Sequence, residues 1–216
     1  MLKFGYSEEL ELLHKEDSDY DYLGSVLPAE VLAKNSDWTP HLPPLEVQRN
    51  NYGDSFSCVS FALTNIIETM HKARYGEEIN LSDRFLSKIS NTVPGKGNSH
   101  KNVAESLRTK WVVFEEEYPF TPETTMEEFF KEIPKEIRDL AISRIDKYEF
   151  GYEKVRRDDF QEALQFSPIQ VAVDSRTTRV SQFQGLNHSI MMYKLDNNAH
   201  IFDSYLNESI LKRAQK

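Results

Sequence analysis

Up to Tyr148 the apolar residues of this chain recur at helical spacing, and beyond it they gather in short runs of strand length. That division restricts the fold to helices first and strands later, an α+β arrangement in which a helical lobe faces a sheet lobe. The longest helical stripe covers residues 58–74, with Val59, Ala62, Leu63, Ile66, Ile67 and Met70 at helical spacing and Gly76 as terminator. Further helices are expected over 82–89 and 99–110, opened by Ser82 and Ser99 as N-caps. Thr124-x-x-Glu127 reads as a capping box for the next helix, and Pro134 suits the first turn of one over 135–145. Strands are expected over 149–155, 169–174, 188–195 and 199–206. A helix near 158–165 interrupts them, and Asp196-Asn197-Asn198 forms the last hairpin turn. Prolines at 28, 40, 43 and 44 keep 27–57 extended. Residues 1–26 form an acidic N-terminal arm, expected on the surface with a short helix over 8–15, and 27–216 form one domain.

Cys58 is the only cysteine of the chain and stands at the mouth of the longest helix. A free thiol near pKa 8.5 is only a few per cent thiolate at neutral pH, and it becomes a nucleophile when positive charge stabilises the anion. A helix N-terminus supplies part of that charge through its unpaired N–H groups and dipole. A histidine supplies the rest, and His188, opening the apolar run His188-Ser189-Ile190-Met191-Met192-Tyr193, is the best placed of six. Hairpin pairing would bring Asp203, at the end of the return strand, beside His188 to hold its imidazole in one tautomer. Taken singly, each has a plainer role: a packed thiol, a structural histidine, a turn aspartate. In the order Cys, His, Asp, each at the terminus of an element, they point to a thiol enzyme with an acidic, helix-activated cysteine.

Six short blocks then resemble papain-like cysteine peptidases, in the family's order, between about Leu27 and Tyr205. Ser57-Cys58-Val59-Ser60-Phe61-Ala62 resembles the nucleophile block, and Leu81-Ser82-Asp83-Arg84 the start of the following helix. Glu117-Tyr118-Pro119-Phe120 and Ser167-Pro168-Ile169-Gln170-Val171-Ala172-Val173-Asp174 resemble two further segments. Asn187-His188 and Phe202-Asp203-Ser204-Tyr205 match the blocks of the other two triad members. The resemblance implies a two-lobe fold, a helical N-terminal lobe and an antiparallel β C-terminal lobe. It implies Cys58 as nucleophile, His188 as acid and base, and Asp203 in place of the family's asparagine. Leu42-Pro43-Pro44-Leu45-Glu46-Val47-Gln48 resembles the lead-in to the family's oxyanion glutamine, which makes Gln48 the oxyanion donor across a longer loop. The sequence departs from the family in having Val59 where tryptophan is usual, one glycine (Gly97) of the cleft pair, and no cysteines for disulfides.

The implied activity is hydrolysis of an amide through a thioacyl intermediate, with a protein or peptide as substrate. Two other readings use the same residues: a Cys-dependent acyltransferase of transglutaminase type, and a catalytically silent papain-like binding module. A net charge of −9 argues against nucleic acid, whose phosphates need a basic face. One cysteine and scattered histidines give no tetrahedral ligand spacing, so no metal and no cofactor is expected. No 18-residue apolar run and no secretory h-region is present, so no membrane partner is expected and a reducing, cytoplasmic setting is the default. A virus-encoded protein or export without a recognisable signal would leave no mark in this sequence, and oligomeric state is left open.

Overall fold

The structure, a computed structural model, describes residues 5–13, 30–147, 150–175 and 185–205. The acidic run 16–22, the boundary proposed between 26 and 27, and the end of the strand expected at 206 lie outside the described residues. A helix α1 (Glu8–Leu12) matches the start of the one expected over 8–15.

The centre of the molecule is α2 (Cys58–Tyr75), closed by Gly76 in the left-handed region at φ 72°, where glycine carries no Cβ penalty. Every residue from Cys58 to Ile66 is buried, so this half of the helix has no solvent face. One side packs on α3 (Asp83–Ile89) and α4 (His100–Lys110), around Leu63, Phe85, Leu86, Val103 and Leu107. Ser82 and Ser99 cap these two helices as expected, accepting from the N–H of Phe85 and Asn102. The other side lies against an antiparallel sheet, in the order β3 (Ile169–Val173), β4 (His188–Leu195) and β5 (Ala199–Phe202). Ile66 of α2 packs with the fully buried Met191 and with Phe202 there. A two-stranded ribbon of β1 (Arg49–Asn50) and β2 (Gly53–Asp54) precedes α2. Trp38, wholly buried, donates its indole N–H to Leu164 O at 2.7 Å and joins the lead-in segment to the sheet half.

Several boundaries differ from those expected. The capping box is Thr125 with Glu128, one residue later, opening α5 (Met126–Phe129); the neighbouring Thr124 and Glu127 offer the same pattern out of register. Pro134 sits at the N-cap of α6 (Lys135–Ile142), which ends three residues early in a 3-10 turn. Residues 150–155 form no strand of the sheet: Phe150 and Tyr152 pack on the helical core, and Tyr152 donates to Glu105 Oε2 at 2.6 Å. The helix near 158–165 is a 3-10 turn running into α7 (Phe160–Ala163). Residues Gly5 to Ser7 are not a surface arm, since Tyr6 and Ser7 are buried.

Polar groups bind the helical half together. Thr64 of α2 donates to Asp83, and Glu68, one turn on, accepts from Leu81 N–H at 2.7 Å, so both hold the start of α3. Burial pushes the carboxyls of Asp83 and Glu68 well above their usual range. Glu115, which accepts from Phe120 N–H at 2.5 Å, is pushed up to about 8 by burial and by the neighbouring Glu46. With Asp83, Glu115 and Glu46 line a cavity of about 370 Å³ that is separate from Cys58.

Each of these carboxyls therefore holds its proton to higher pH in the fold than in the unfolded chain, where such groups ionise above about pH 4.5. Unfolding therefore releases protons, and stability falls as pH rises from there toward 8. The thermal midpoint is expected to drop between pH 5 and pH 8. Glu115→Gln, which cannot ionise, should raise the pH 8 midpoint by about 3 °C or more and flatten that slope.

Candidate active site

The loop before Cys58 is shaped by Asp54. Its Oδ1 accepts from Phe56 N–H at 2.8 Å, and Phe56 turns the chain in the left-handed region at φ 54°. The chain thus turns at Phe56, three residues after Gly53 of β2. Two residues later Cys58 begins α2 and is completely buried. Its Sγ accepts from the backbone N–H of Ser189 at 3.3 Å, which sets the sulfur against the residue that follows His188.

His188 begins β4 as expected, opposite Val173 of β3. The hairpin brings Asp203 back: His188 Nε2 and Asp203 Oδ1 are 2.8 Å apart, with His188 side-chain exposure of 3%. Tyr205 N–H donates to the same Asp203 oxygen at 2.9 Å, and the Tyr205 ring lies 4.9 Å from the imidazole. The Asp203 contact thus engages Nε2 of the imidazole. Gln170 of β3 completes the frame, donating from Nε2 to Val59 O at 2.7 Å and to Ser189 Oγ at 3.1 Å. His100 Nε2 shares that hydroxyl at 2.9 Å, and burial pushes this imidazole's pKa down.

Gln48 is fully buried and reaches the same cluster from the lead-in loop. Its Nε2 donates to Asp54 Oδ1 at 3.1 Å and to Tyr205 Oη at 2.8 Å, and its Oε1 accepts from Ser204 Oγ at 2.7 Å. Cys58, His188, Asp203 and Gln48 are therefore tied into one neighbourhood through Ser189, Tyr205 and Asp54. The contacts of Asp54 had no local sign in the sequence, whereas a polar Gln170 inside an apolar strand run was an available clue to its own.

An acidic thiol was expected, and the structure has the opposite. Burial pushes the Cys58 thiol far up, and the negative charges of Asp203 and Asp54 add to it, outweighing the N–H groups of Ser189 and Val59. The segment from Gly5 to Ser7 packs close by, beside Phe56 and in the same core cluster as Cys58. Gly5 O accepts from Asn98 N–H at 2.8 Å, Ser7 N–H donates to Asn98 O at 2.8 Å, and Tyr6 N–H donates to Asn187 O at 3.3 Å. The Tyr6 ring rests 4.9 Å from that of His100, within the core cluster that includes Cys58. A methyl on Gly5 would stand 2.4 Å from Phe56 O, and one on Gly97 would stand 1.8 Å from Gly5 O. The seam is built from backbone against backbone.

A search of solved structures finds this arrangement of helices and sheet in cysteine proteases. The fold is papain-like. A structure comparing the mite allergens Blo t 1 and Der p 1 matches at TM-score 0.61 and 14% identity, over 94% of this chain and 71% of that one. Digestive procathepsin L 3 of Tenebrio molitor larval midgut matches at TM-score 0.55 and 15% identity, over 92% of this chain and 64% of that one. The ragweed pollen allergen Amb a 11, a cysteine protease in its proform, matches at TM-score 0.51 and 14% identity, over 88% of this chain and 61% of that one. The chain thus spans less than two thirds of the last two. No protein-family model matches the sequence, and no curated protein is similar to it. Among the described residues no helix is long and apolar enough to cross a membrane, and no cluster of His, Cys, Asp and Glu could hold a metal ion.

Displacing the N-terminal segment should hydrate the thiol and bring its pKa down. Gly5→Ala, through its clash with Phe56, and deletion of residues 1–7 are both expected to speed iodoacetamide alkylation of Cys58 at pH 7. Each unit of lowered pKa makes about tenfold more thiolate. Unchanged alkylation in both variants would mean that this segment does not guard the sulfur.

Proposed function

We propose that this chain is a thiol hydrolase of papain-like type, cleaving an amide in a protein or peptide with a Cys58-His188-Asp203 triad. The observation that carries the reading is the His188 Nε2 to Asp203 Oδ1 pair at 2.8 Å, on the strand whose next residue bonds Cys58 Sγ. The papain-like fold supports the same class of chemistry. His188 takes the thiol proton, and Sγ bonds to the amide carbon while the carbonyl electron pair moves to oxygen. The C–N bond then breaks as the imidazolium gives its proton to the departing amine. Water adds to the thioester with His188 accepting its proton, and the carboxylic acid leaves with Cys58 restored. Asp203 holds the imidazole tautomer and stabilises the imidazolium. Gln48 is the proposed side-chain donor to the oxyanion, with the backbone N–H of Cys58; one of its two engaged N–H groups must turn from Asp54 or Tyr205 to reach it.

One observation favours the silent-module alternative: Cys58 is fully buried, and that burial pushes its thiol pKa up. Labelling separates the two. A thiol-directed acylating probe should label the wild type and, more strongly, the variant lacking residues 1–7, and should leave Cys58→Ser unlabelled. No labelling of either Cys58-bearing protein would end the enzyme reading. Adding a primary amine tests for acyl transfer, because a transferase would divert the acyl group from water to the amine.

In the active form, Asp203→Ala is expected to preserve the fold and lower kcat by about 10² or more, with KM little changed. Gln48→Ala should lower kcat by a similar factor while leaving alkylation of Cys58 nearly as it was, since that reaction develops no oxyanion. Near-normal kcat in Gln48→Ala would remove it from the machinery.

A further inference from the structure

Asp54 is part of no catalytic block of the sequence, yet its carboxylate touches three segments of the site. Oδ1 accepts from Phe56 N–H at 2.8 Å, in the loop that delivers Cys58, and from Gln48 Nε2 at 3.1 Å. Oδ2 accepts from Tyr205 Oη at 2.5 Å, in the loop that follows Asp203. These contacts fix a direction of hydrogen bonding. A carboxylate in this network only accepts, so the Tyr205 hydroxyl spends its proton on Asp54 and has only lone pairs left for Gln48. Gln48 must then meet both Tyr205 and Asp54 with N–H, while Ser204 Oγ donates to its carbonyl oxygen at 2.7 Å. Burial and the bond to Asp54 raise the Tyr205 phenol far above its usual range, so it stays a donor.

We propose that Asp54 is a positioning residue for the thiol reaction: through Tyr205 it sets the polarity of the Gln48 carboxamide, so that N–H and not C=O is presented to the Cys58 loop. The inference rests on the hydrolase reading above. Without a carboxylate at 54 nothing compels the Tyr205 hydroxyl to point away from Gln48. The amide can then turn over, offering an oxygen where negative charge develops. The arrangement also has a cost, because the Asp54 charge opposes a thiolate at Cys58. Removing that charge should therefore help the resting nucleophile while harming the acyl-transfer transition state, two effects that a purely structural residue would not separate.

Two reagents that attack the same sulfur isolate these effects. Iodoacetamide alkylates a thiolate without forming an oxyanion. With 4-nitrophenyl acetate, Sγ bonds to the acetyl carbon through a tetrahedral oxyanion and 4-nitrophenolate departs. The ratio of acetylation to alkylation at Cys58 is followed by mass spectrometry on the full chain, and it divides out any cover by residues 5–7. In Asp54→Asn the ratio should fall by about tenfold or more, within the 10² to 10³ that a whole oxyanion donor contributes, while alkylation holds or quickens. Tyr205→Phe, which removes only the relaying hydroxyl, should lower the ratio in the same way and carries the test if Asp54→Asn does not fold. The double variant should be no worse than the more damaged single one, because both act through one path. Ratios within about twofold of wild type in the folded variants, or additive losses, overturn the role of Asp54 alone. If wild-type Cys58 is alkylated but never acetylated, the hydrolase reading fails and this inference fails with it.

Discussion

Helix α2 is buried on all sides from Cys58 to Ile66, and the rest of the molecule is arranged to make that tolerable. A helix without a solvent face must satisfy its polar side chains from its neighbours, since each buried group left unpaired costs about 1–3 kcal/mol. Thr64 and Glu68 do so by grasping the start of α3. Thr69 donates back to Asn65 O at 2.7 Å and approaches Met191 of β4. Gln170 caps the system from the sheet, joining Val59 of the helix to Ser189 of the neighbouring strand. The result is a central helix gripped by both halves of the fold. Its first residue, Cys58, is fully buried with Sγ bonded to the N–H of Ser189, and so has little freedom.

Much of this was legible because it is local. A serine before an apolar stripe, a glycine after it, and an apolar run of eight residues bounded by turns each carry their own signal, and α2, α3, α4 and β4 follow them closely. The hairpin that unites His188 with Asp203 was readable for the same reason, as the pair is only 15 residues apart around a turn closed by Asp196 and Asn198. Where two registers were equally good, as with Thr124 and Thr125, pattern alone had no means of choosing. Where an alternating aromatic segment found a helical surface instead of a strand, as at Phe150 and Tyr152, tertiary packing decided.

What the sequence could not disclose is the meeting of distant side chains. Asp54 and Tyr205 are 151 residues apart, and Gln170 and Val59 are 111. Neither contact leaves a trace in local spacing. The thiol's environment is of the same kind: its place at a helix N-terminus was readable, but the closing of the site over it depends on tertiary packing, including a segment more than fifty residues upstream. Desolvation then outweighs the favourable helix terminus, a reminder that the same position activates a thiol in water and silences it in a dry cluster.

The N-terminal segment is read by main-chain atoms: the N–H and C=O of Asn98 and the C=O of Asn187. Those bonds are main-chain bonds, but Gly5 leaves no room for a side chain beside Phe56 and Tyr6 lays its ring against His100, so an extended chain with glycine and an aromatic residue in those places competes for them. Such a chain meets the groups already bonded, at the high effective concentration of an intramolecular rival. Its apparent dissociation constant is the intrinsic one divided by the fraction of molecules in which the segment has swung away. For a ligand taken at those groups, a measured affinity would therefore be a compound quantity, part intrinsic binding and part opening equilibrium, and a loosened segment would tighten it without any change in the groups that receive the ligand.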